Sequence, residues 1–151
     1  MTTWRVLHFI GLVAWLGGGM AVMVSGVVMR SLDRAFWGAI ADVQAMLYRT
    51  LIGPGSVVTV MSGLFLTFGL YGRLSGEVAA WLGVMQGFGL IAALVTLLGA
   101  MPAAARLSRL EPLGTTGAAF DAARRRLAAM GAVAGVFGAI ALVAGALYRG
   151  G

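Results

Sequence analysis

The stretch LHFIGLVAWLGGG, residues 7–19, contains the side chains best suited to hold a cofactor. His8 is the only histidine in the chain, and Trp15 lies on the same face of a helix seven residues later. A neutral imidazole is a suitable axial ligand for haem iron, and Gly11 and Gly18 on this face leave room for a macrocycle. These four residues therefore form a candidate site for haem b or a porphyrin, with His8 as the iron ligand.

A structural role for His8 also fits its position. His8 follows Arg5 by three residues, or about 4.5 Å along a helix, which places it near a membrane surface and not at the membrane centre. In that role the ring bonds to a neighbouring helix, to water or to a lipid headgroup. One histidine per chain supplies one iron ligand of this type, so bis-histidine ligation requires a homodimer or a partner subunit.

The other residues favour a protein without catalytic chemistry. Cysteine is absent from the sequence, which excludes thiolate ligands and thiol nucleophiles. Met20 and Met23 have an i, i+3 spacing that suits copper(I), although methionine is also an ordinary filler of apolar packing. We find neither a serine and carboxylate constellation for hydrolysis nor a glycine-rich phosphate loop. Copper or small-solute transport is thus a third interpretation, beside a haem protein and a non-enzymatic binding or accessory subunit.

The composition places these residues in a membrane. The 151 residues are 60% hydrophobic and 11% charged, whereas soluble domains carry about 25% charge. Each of four apolar stretches reaches the roughly 20 residues that a helix needs to cross a bilayer, and they cover residues 6–29, 50–72, 78–105 and 127–148. We therefore predict one transmembrane domain, residues 1–151, folded as an all-α, up-down four-helix bundle.

The distribution of arginine predicts the orientation. Eight of the eleven arginines fall on one side of the four-span arrangement, which identifies that side as cytoplasmic and both termini as periplasmic in a bacterial inner membrane. Four aromatic residues mark the opposite boundary: Trp4, Tyr71, Trp81 and Tyr148. We interpret the basic residues of the third loop as membrane-surface anchors. The alternative is that they dock an acidic partner or a lipid headgroup. These residues are Arg106, Arg109, Arg124, Arg125 and Arg126. The net charge of +6 does not indicate nucleic acid, because the arginines lie between apolar spans.

The segment before the second span predicts an amphipathic cytoplasmic helix. Apolar residues recur at helical spacing over residues 33–49, and Ser31 or Asp33 is suited to cap the helix. This helix should run into the second span and kink near Pro54, which lacks a backbone donor. At the start of the last span, Thr115 or Thr116 is the predicted cap.

Small and polar residues inside the spans predict helix contacts. Thr59, Ser62 and Gln86 lie within apolar stretches, and we interpret them as hydrogen-bonding residues that hold the bundle together. The glycine-rich face of the first helix allows another backbone to approach closely. A leucine at Gly18 or Gly19 is therefore expected to destabilise the bundle by roughly 1 to 3 kcal/mol.

These motifs together resemble a group of small four-span bacterial membrane proteins. The resemblance rests on LHFIGLVAWLGGG, on the arginine-flanked amphipathic segment, and on LIGPG followed by SGLFL. The group includes the CopD-type copper-resistance domain, the HemJ-type protoporphyrinogen oxidases and an uncharacterised branch. Similarity to the oxidases implies a functional role for His8. It also implies a functional lysine four residues after the tryptophan that begins the third span. Trp81 is present here, but Met85 occupies the lysine position, so the resemblance is closest to the uncharacterised branch.

Overall fold

Four helices make up the described part of the chain. The computed structural model describes residues 2–69 and 77–147, and these ranges contain no strand. Helix α1 is Thr2–Ser31, α2 is Arg34–Phe68, α3 begins at Glu77 and ends at Leu107, and α4 is Gly114–Leu147. The all-α prediction with four helices is confirmed. The predicted boundary residues Tyr71, Arg73, Tyr148 and Arg149 lie outside the described residues.

All four helices are long and apolar enough to cross a membrane. Helices α1, α2 and α4 have 30, 35 and 34 residues, several turns more than the roughly 20 residues that span a bilayer. The large exposed side chains of the four helices are mostly aliphatic or aromatic, for example Val13, Phe68 and Leu98. Such a surface is suited to lipid, which is the environment that the composition predicts.

Three of the helices combine α-helical segments with 3-10 or π turns. The segments of α2 are Arg34–Phe36 (3-10), Trp37–Leu47 (α), Tyr48–Ile52 (π) and Gly53–Phe68 (α). Those of α3 are Glu77–Leu94 (α), Val95–Ala100 (π) and Met101–Leu107 (α). In α4 a 3-10 turn, Gly114–Thr116, leads into the α-helix Gly117–Leu147.

Both π turns end two residues before a proline. The backbone N–H of Gly53 bonds to the carbonyl of Tyr48, five residues earlier, and Pro54 follows. In α3 the N–H of Met101 bonds to the carbonyl of Thr96, and Pro102 follows. Proline lacks the N–H that would continue an α-helical ladder, and its ring crowds the carbonyl four residues earlier, so a wider turn relieves both conflicts. The sequence predicts a kink near Pro54, whereas the π turn near Pro102 in α3 was not predicted.

The helices associate as two antiparallel pairs, α1 with α2 and α3 with α4. Along α1, Gly11 lies against Thr59, Gly18 lies against Ile52, and Ser25 accepts a hydrogen bond from Gln44. The two helices therefore run in opposite directions. Contacts in the second pair have the same sense, with Met85 beside Gly145 and Gly99 beside Met130. We call the end where α1 begins the His8 end, and the end where α2 and α4 begin the arginine-rich end.

Two glycines of α1 allow close contact with α2, Gly11 with its backbone and Gly18 with the side chain of Ile52. A Cβ atom on Gly11 would lie 2.9 Å from the backbone nitrogen of Thr59, and one on Gly18 would lie 2.7 Å from Cγ1 of Ile52. The space beside Gly19 is open, with no atom of another residue within 4 Å of such a Cβ among the described residues. The first side-chain atom at Gly19 would therefore meet no neighbouring helix, whereas Gly18 does face α2; the cost of a leucine at Gly19 stays a prediction.

The predicted caps are correct in one case. The carboxylate of Asp33 accepts a hydrogen bond from the backbone N–H of Ala35 at 2.9 Å and caps the first turn of α2. The hydroxyl of Ser31 instead donates to the carbonyl of Val28. Leu113 precedes the first turn of α4 and makes no side-chain hydrogen bond to it. The Thr116 hydroxyl donates to the carbonyl of Glu111 and accepts from the backbone N–H of the same residue, so it bonds back to the preceding loop and does not cap α4 as predicted.

Candidate functional site

His8 is fixed against α2 by its Nδ1 atom. Nδ1 lies 2.9 Å from the carbonyl oxygen of Thr59 and 3.2 Å from Oγ of Ser62. A carbonyl oxygen only accepts hydrogen bonds, so Nδ1 carries the proton and donates it. The Ser62 hydroxyl donates to the carbonyl of Val58, which leaves its oxygen free to accept from His8. In the neutral ring Nε2 is consequently the unprotonated nitrogen, with a lone pair for a proton or a metal.

A glycine of α2 lies directly against the imidazole. A Cβ on Gly63 would lie 3.3 Å from Cε1 of His8, so the absence of a side chain there lets the ring approach α2 closely. One turn before His8 on α1, the ring of Trp4 stacks on the ring of Phe65 in α2, with centroids 4.3 Å apart. The His8 side chain is half-buried between these two helices.

The four residues predicted to hold a macrocycle face two different helices. Gly11 and Gly18 contact α2 directly, so the room predicted beside them is filled by the α2 backbone and by Ile52. Trp15 is buried and donates from Nε1 to the hydroxyl of Thr96 in α3, at 3.3 Å. The glycine face therefore does not fit a macrocycle in this packing, although Nε2 of His8 has the chemistry of an axial ligand.

The predicted intramembrane polar residues form hydrogen bonds within the bundle. The Thr59 hydroxyl donates to the carbonyl of Gly55 at 2.8 Å, within α2. Ser62 accepts from His8 of α1, and Gln86 of α3 donates to the hydroxyl of Thr67 in α2. Two of these contacts link different helices, because α1 meets α2 through Ser62 and α3 meets α2 through Gln86.

Three further buried polar residues, Gln44, Ser56 and Thr96, were missed by the sequence interpretation. Gln44 donates from Nε2 to Oγ of Ser25 at 3.0 Å, and thereby ties α2 to α1. Thr96 accepts from Trp15 while its own hydroxyl donates to the carbonyl of Ala92. Their signal in the sequence is a single polar residue within a run of apolar ones, which is the criterion that selected Thr59.

The described residues contain no group of three or more histidine, cysteine, aspartate or glutamate side chains that could hold a metal ion. Met20 and Met23, considered for copper(I), are both largely exposed on the outer face of α1.

A cluster of polar and aromatic residues joins α2 to α4 at the arginine-rich end. Arg34 donates to the carbonyl of Pro112 at 2.7 Å and forms an ion pair with Asp121 at 2.8 Å. The guanidinium groups of Arg34 and Arg124 each lie 5.0 Å from the ring centroid of Trp37. Arg34 therefore links α2 to the connection between α3 and α4, and this role was not predicted from the sequence.

Asp121 precedes the apolar stretch 127–148 and is held in its charged form. The hydrogen bond from Arg34 lowers the pKa of this carboxyl below its usual value, and the charges of Arg34, Arg124 and Arg125 act in the same direction. Partial burial opposes the shift without reversing it. Of the predicted surface arginines, Arg124 is half-buried over Trp37, while four are exposed: Arg106, Arg109, Arg125 and Arg126.

No family model matches the sequence, and neither a curated protein nor a solved structure matches it. The resemblance to the CopD-type and HemJ-type proteins stays a prediction that rests on the motifs alone.

Proposed function

We propose that this chain is a non-enzymatic subunit of a bacterial inner-membrane complex, which packs against a partner helix through α1. The supporting observation is an apolar groove of about 440 Å³ on the outer face of α1. Small and aliphatic residues line it, of which Leu51 belongs to α2 and the rest to α1: Ile10, Val13, Ala14, Gly17, Gly18 and Ala21. A backbone approaching Gly17 would meet open space, because no described atom of another residue lies within 4 Å of a Cβ built there. Small residues on an exposed helix face are the usual contact between transmembrane helices.

The polar contacts inside the bundle support the same function. His8, Trp15 and Gln86 each donate a hydrogen bond to a residue of a neighbouring helix. Polar groups used in this way stabilise the bundle itself, because an unsatisfied group in lipid costs several kcal/mol. The partner is a second copy of the chain or another membrane subunit, with lipid covering the remaining surface.

Light scattering of the protein extracted into lipid nanodiscs tests this proposal. The mass should exceed that of the 15.5 kDa monomer, and Gly17→Leu should reduce it to the monomer without lowering the unfolding temperature. Val24→Leu is a matched control, since Val24 is exposed on the same helix but outside the groove. A monomeric wild-type protein, or equal behaviour of the two variants, would reject the proposal.

A haem or porphyrin protein is the second candidate, with the group held at Nε2 of His8 and outside the glycine face, which α2 fills. It is favoured by the donation from Nδ1 of His8 to a carbonyl, since metal-binding histidines are usually oriented by such a bond on their other nitrogen. Haem would supply reversible iron redox chemistry, and His8 would hold the iron through Nε2. A Soret band in the protein purified from membranes, lost in His8→Ala but kept in Ser62→Ala, would favour this candidate over the first.

For the orientation we propose periplasmic termini and a cytoplasmic arginine-rich end, on the evidence of the arginine distribution. Fusing reporters to the C-terminus and to the connection between α3 and α4 tests it. Activity of a cytoplasmic reporter at the C-terminus would reverse the assignment.

A further inference from the structure

A basic groove lies between α3 and α4 at the arginine-rich end. It encloses about 330 Å³, with Arg106 of α3 and Arg126 of α4 among its lining residues. The rest of the lining is mainly alanine: Ala103, Ala119, Ala122 and Ala123. Short side chains leave the space open between two long, charged ones. The groove thus combines a narrow apolar floor with two guanidinium groups.

The position of the groove along the helices matches the headgroup layer of a bilayer. Gly99 lies against Met130, so the antiparallel register brings Ala103 level with Arg126. Arg126 immediately precedes the apolar stretch that begins at Leu127. From there the groove extends to Ala119, seven residues earlier, or about 10 Å along the helix. The headgroup region on each side of a bilayer is roughly 5 to 7 Å thick, so a groove that starts at the edge of the apolar stretch spans this region and extends a few ångströms beyond it.

The charge of the groove is suited to a phosphate. All of its lining residues are described, and none of them is acidic. Arg106 and Arg126 form no ion pair with a described residue, and the nearby carboxylate of Asp121 is bound to Arg34. Guanidinium groups bind phosphate oxygens through paired N–H donors. An ammonium group, as found in zwitterionic headgroups, would be repelled here.

The geometry points to a binding site for an anionic phospholipid, with the phosphate held between Arg106 and Arg126 and the headgroup lying over the alanine floor. The lipid reaches the groove from the bilayer, because the inner edge of the groove is level with the end of the apolar stretch. Phosphatidylglycerol has the required chemistry, with one phosphate and an uncharged headgroup small enough for a floor of alanines.

The test is a lipid titration of the full-length protein in detergent, with retained lipid counted by native mass spectrometry. Phosphatidylglycerol is compared with phosphatidylcholine. We expect wild-type protein to retain phosphatidylglycerol preferentially, and Arg106→Gln/Arg126→Gln to weaken its apparent affinity by about 30-fold, or about fivefold for each arginine near an anionic lipid. The matched control is Arg30→Gln/Arg49→Gln, which removes the same charge from exposed positions outside the groove and should change the affinity less than about twofold.

A second variant separates the shape of the groove from its charge. Ala122→Leu fills the floor while keeping both arginines, and it should also weaken phosphatidylglycerol binding. This variant keeps the proposal testable if the double arginine variant fails to fold, which its melting temperature without added lipid will show. Equal losses in the two double arginine variants would mean a diffuse surface attraction and overturn the site. Equal retention of phosphatidylcholine and phosphatidylglycerol would also overturn the site. So would preferential binding of inorganic phosphate or of an acidic peptide in the groove.

Discussion

Replacing Gly11 with alanine should destabilise the bundle, whereas the same change at Gly19 should not. At Gly11 the new methyl group would lie 2.6 Å from Oγ1 of Thr59 and 2.9 Å from its backbone nitrogen, when ordinary contacts begin at 3.4 Å. The Thr59 side chain can rotate, but its backbone cannot, so α2 has to move by about 0.5 Å. Overpacking of this kind costs about 1 to 3 kcal/mol.

The comparison with Gly19→Ala removes a confounding contribution. Alanine stabilises a helix by about 0.5 to 1 kcal/mol relative to glycine, and both variants gain it. Their difference in unfolding free energy therefore reports the contact with α2, and we expect about 1 to 3 kcal/mol. Reversible unfolding in mixed micelles, followed by circular dichroism, measures it. Equal stability of the two variants would refute the close packing of α1 on α2.

Two further predictions concern the polar contacts. A double-mutant cycle of Trp15→Phe and Thr96→Val should give a coupling of about 0.6 kcal/mol, the average for a hydrogen bond between transmembrane helices; a coupling of zero would mean that the indole does not bond to Thr96. The ion pair of Asp121 should make stability depend on pH, because its folded-state pKa is lowered. Its contribution is complete above the unfolded-state pKa of about 4 and is lost as the pH falls through the lower folded-state value. Between pH 6 and pH 3 the wild-type melting temperature should therefore fall further than that of Asp121→Asn, and parallel curves would contradict the pairing.

The helices could be predicted because their cause is local. The apolar stretches are long enough to span a bilayer, and lipid requires each backbone group to bond within its own segment. The cap at Asp33 likewise depends on a neighbour two residues away. Such features need no knowledge of the tertiary packing.

The candidate site was less predictable because it depends on which face of α1 meets which helix. Gly17, Gly18 and Gly19 follow one another, and successive residues are turned by about 100°. Only Gly18 of the three contacts α2. The role of Arg34 was hidden for a similar reason, since its partners Pro112 and Asp121 are distant in sequence.

The π turn in α2 determines the rotational phase of the two segments that it joins. Gln44 and Ile52 both contact α1, although an uninterrupted α-helix would turn them about 80° apart over eight residues. The π turn accommodates one extra residue and reduces this offset to about 20°. Deleting one residue between 48 and 52 would leave an uninterrupted α-helix with the same offset of about 20°, because the π turn holds the extra residue. Inserting a further residue would lengthen α2 by only about 1.5 Å, yet it would rotate Gln44 by about 100° relative to Ile52. Either Gln44 would then lose Ser25, or Ile52 would lose Gly18. In this region of α2 an insertion is therefore more disruptive than a deletion.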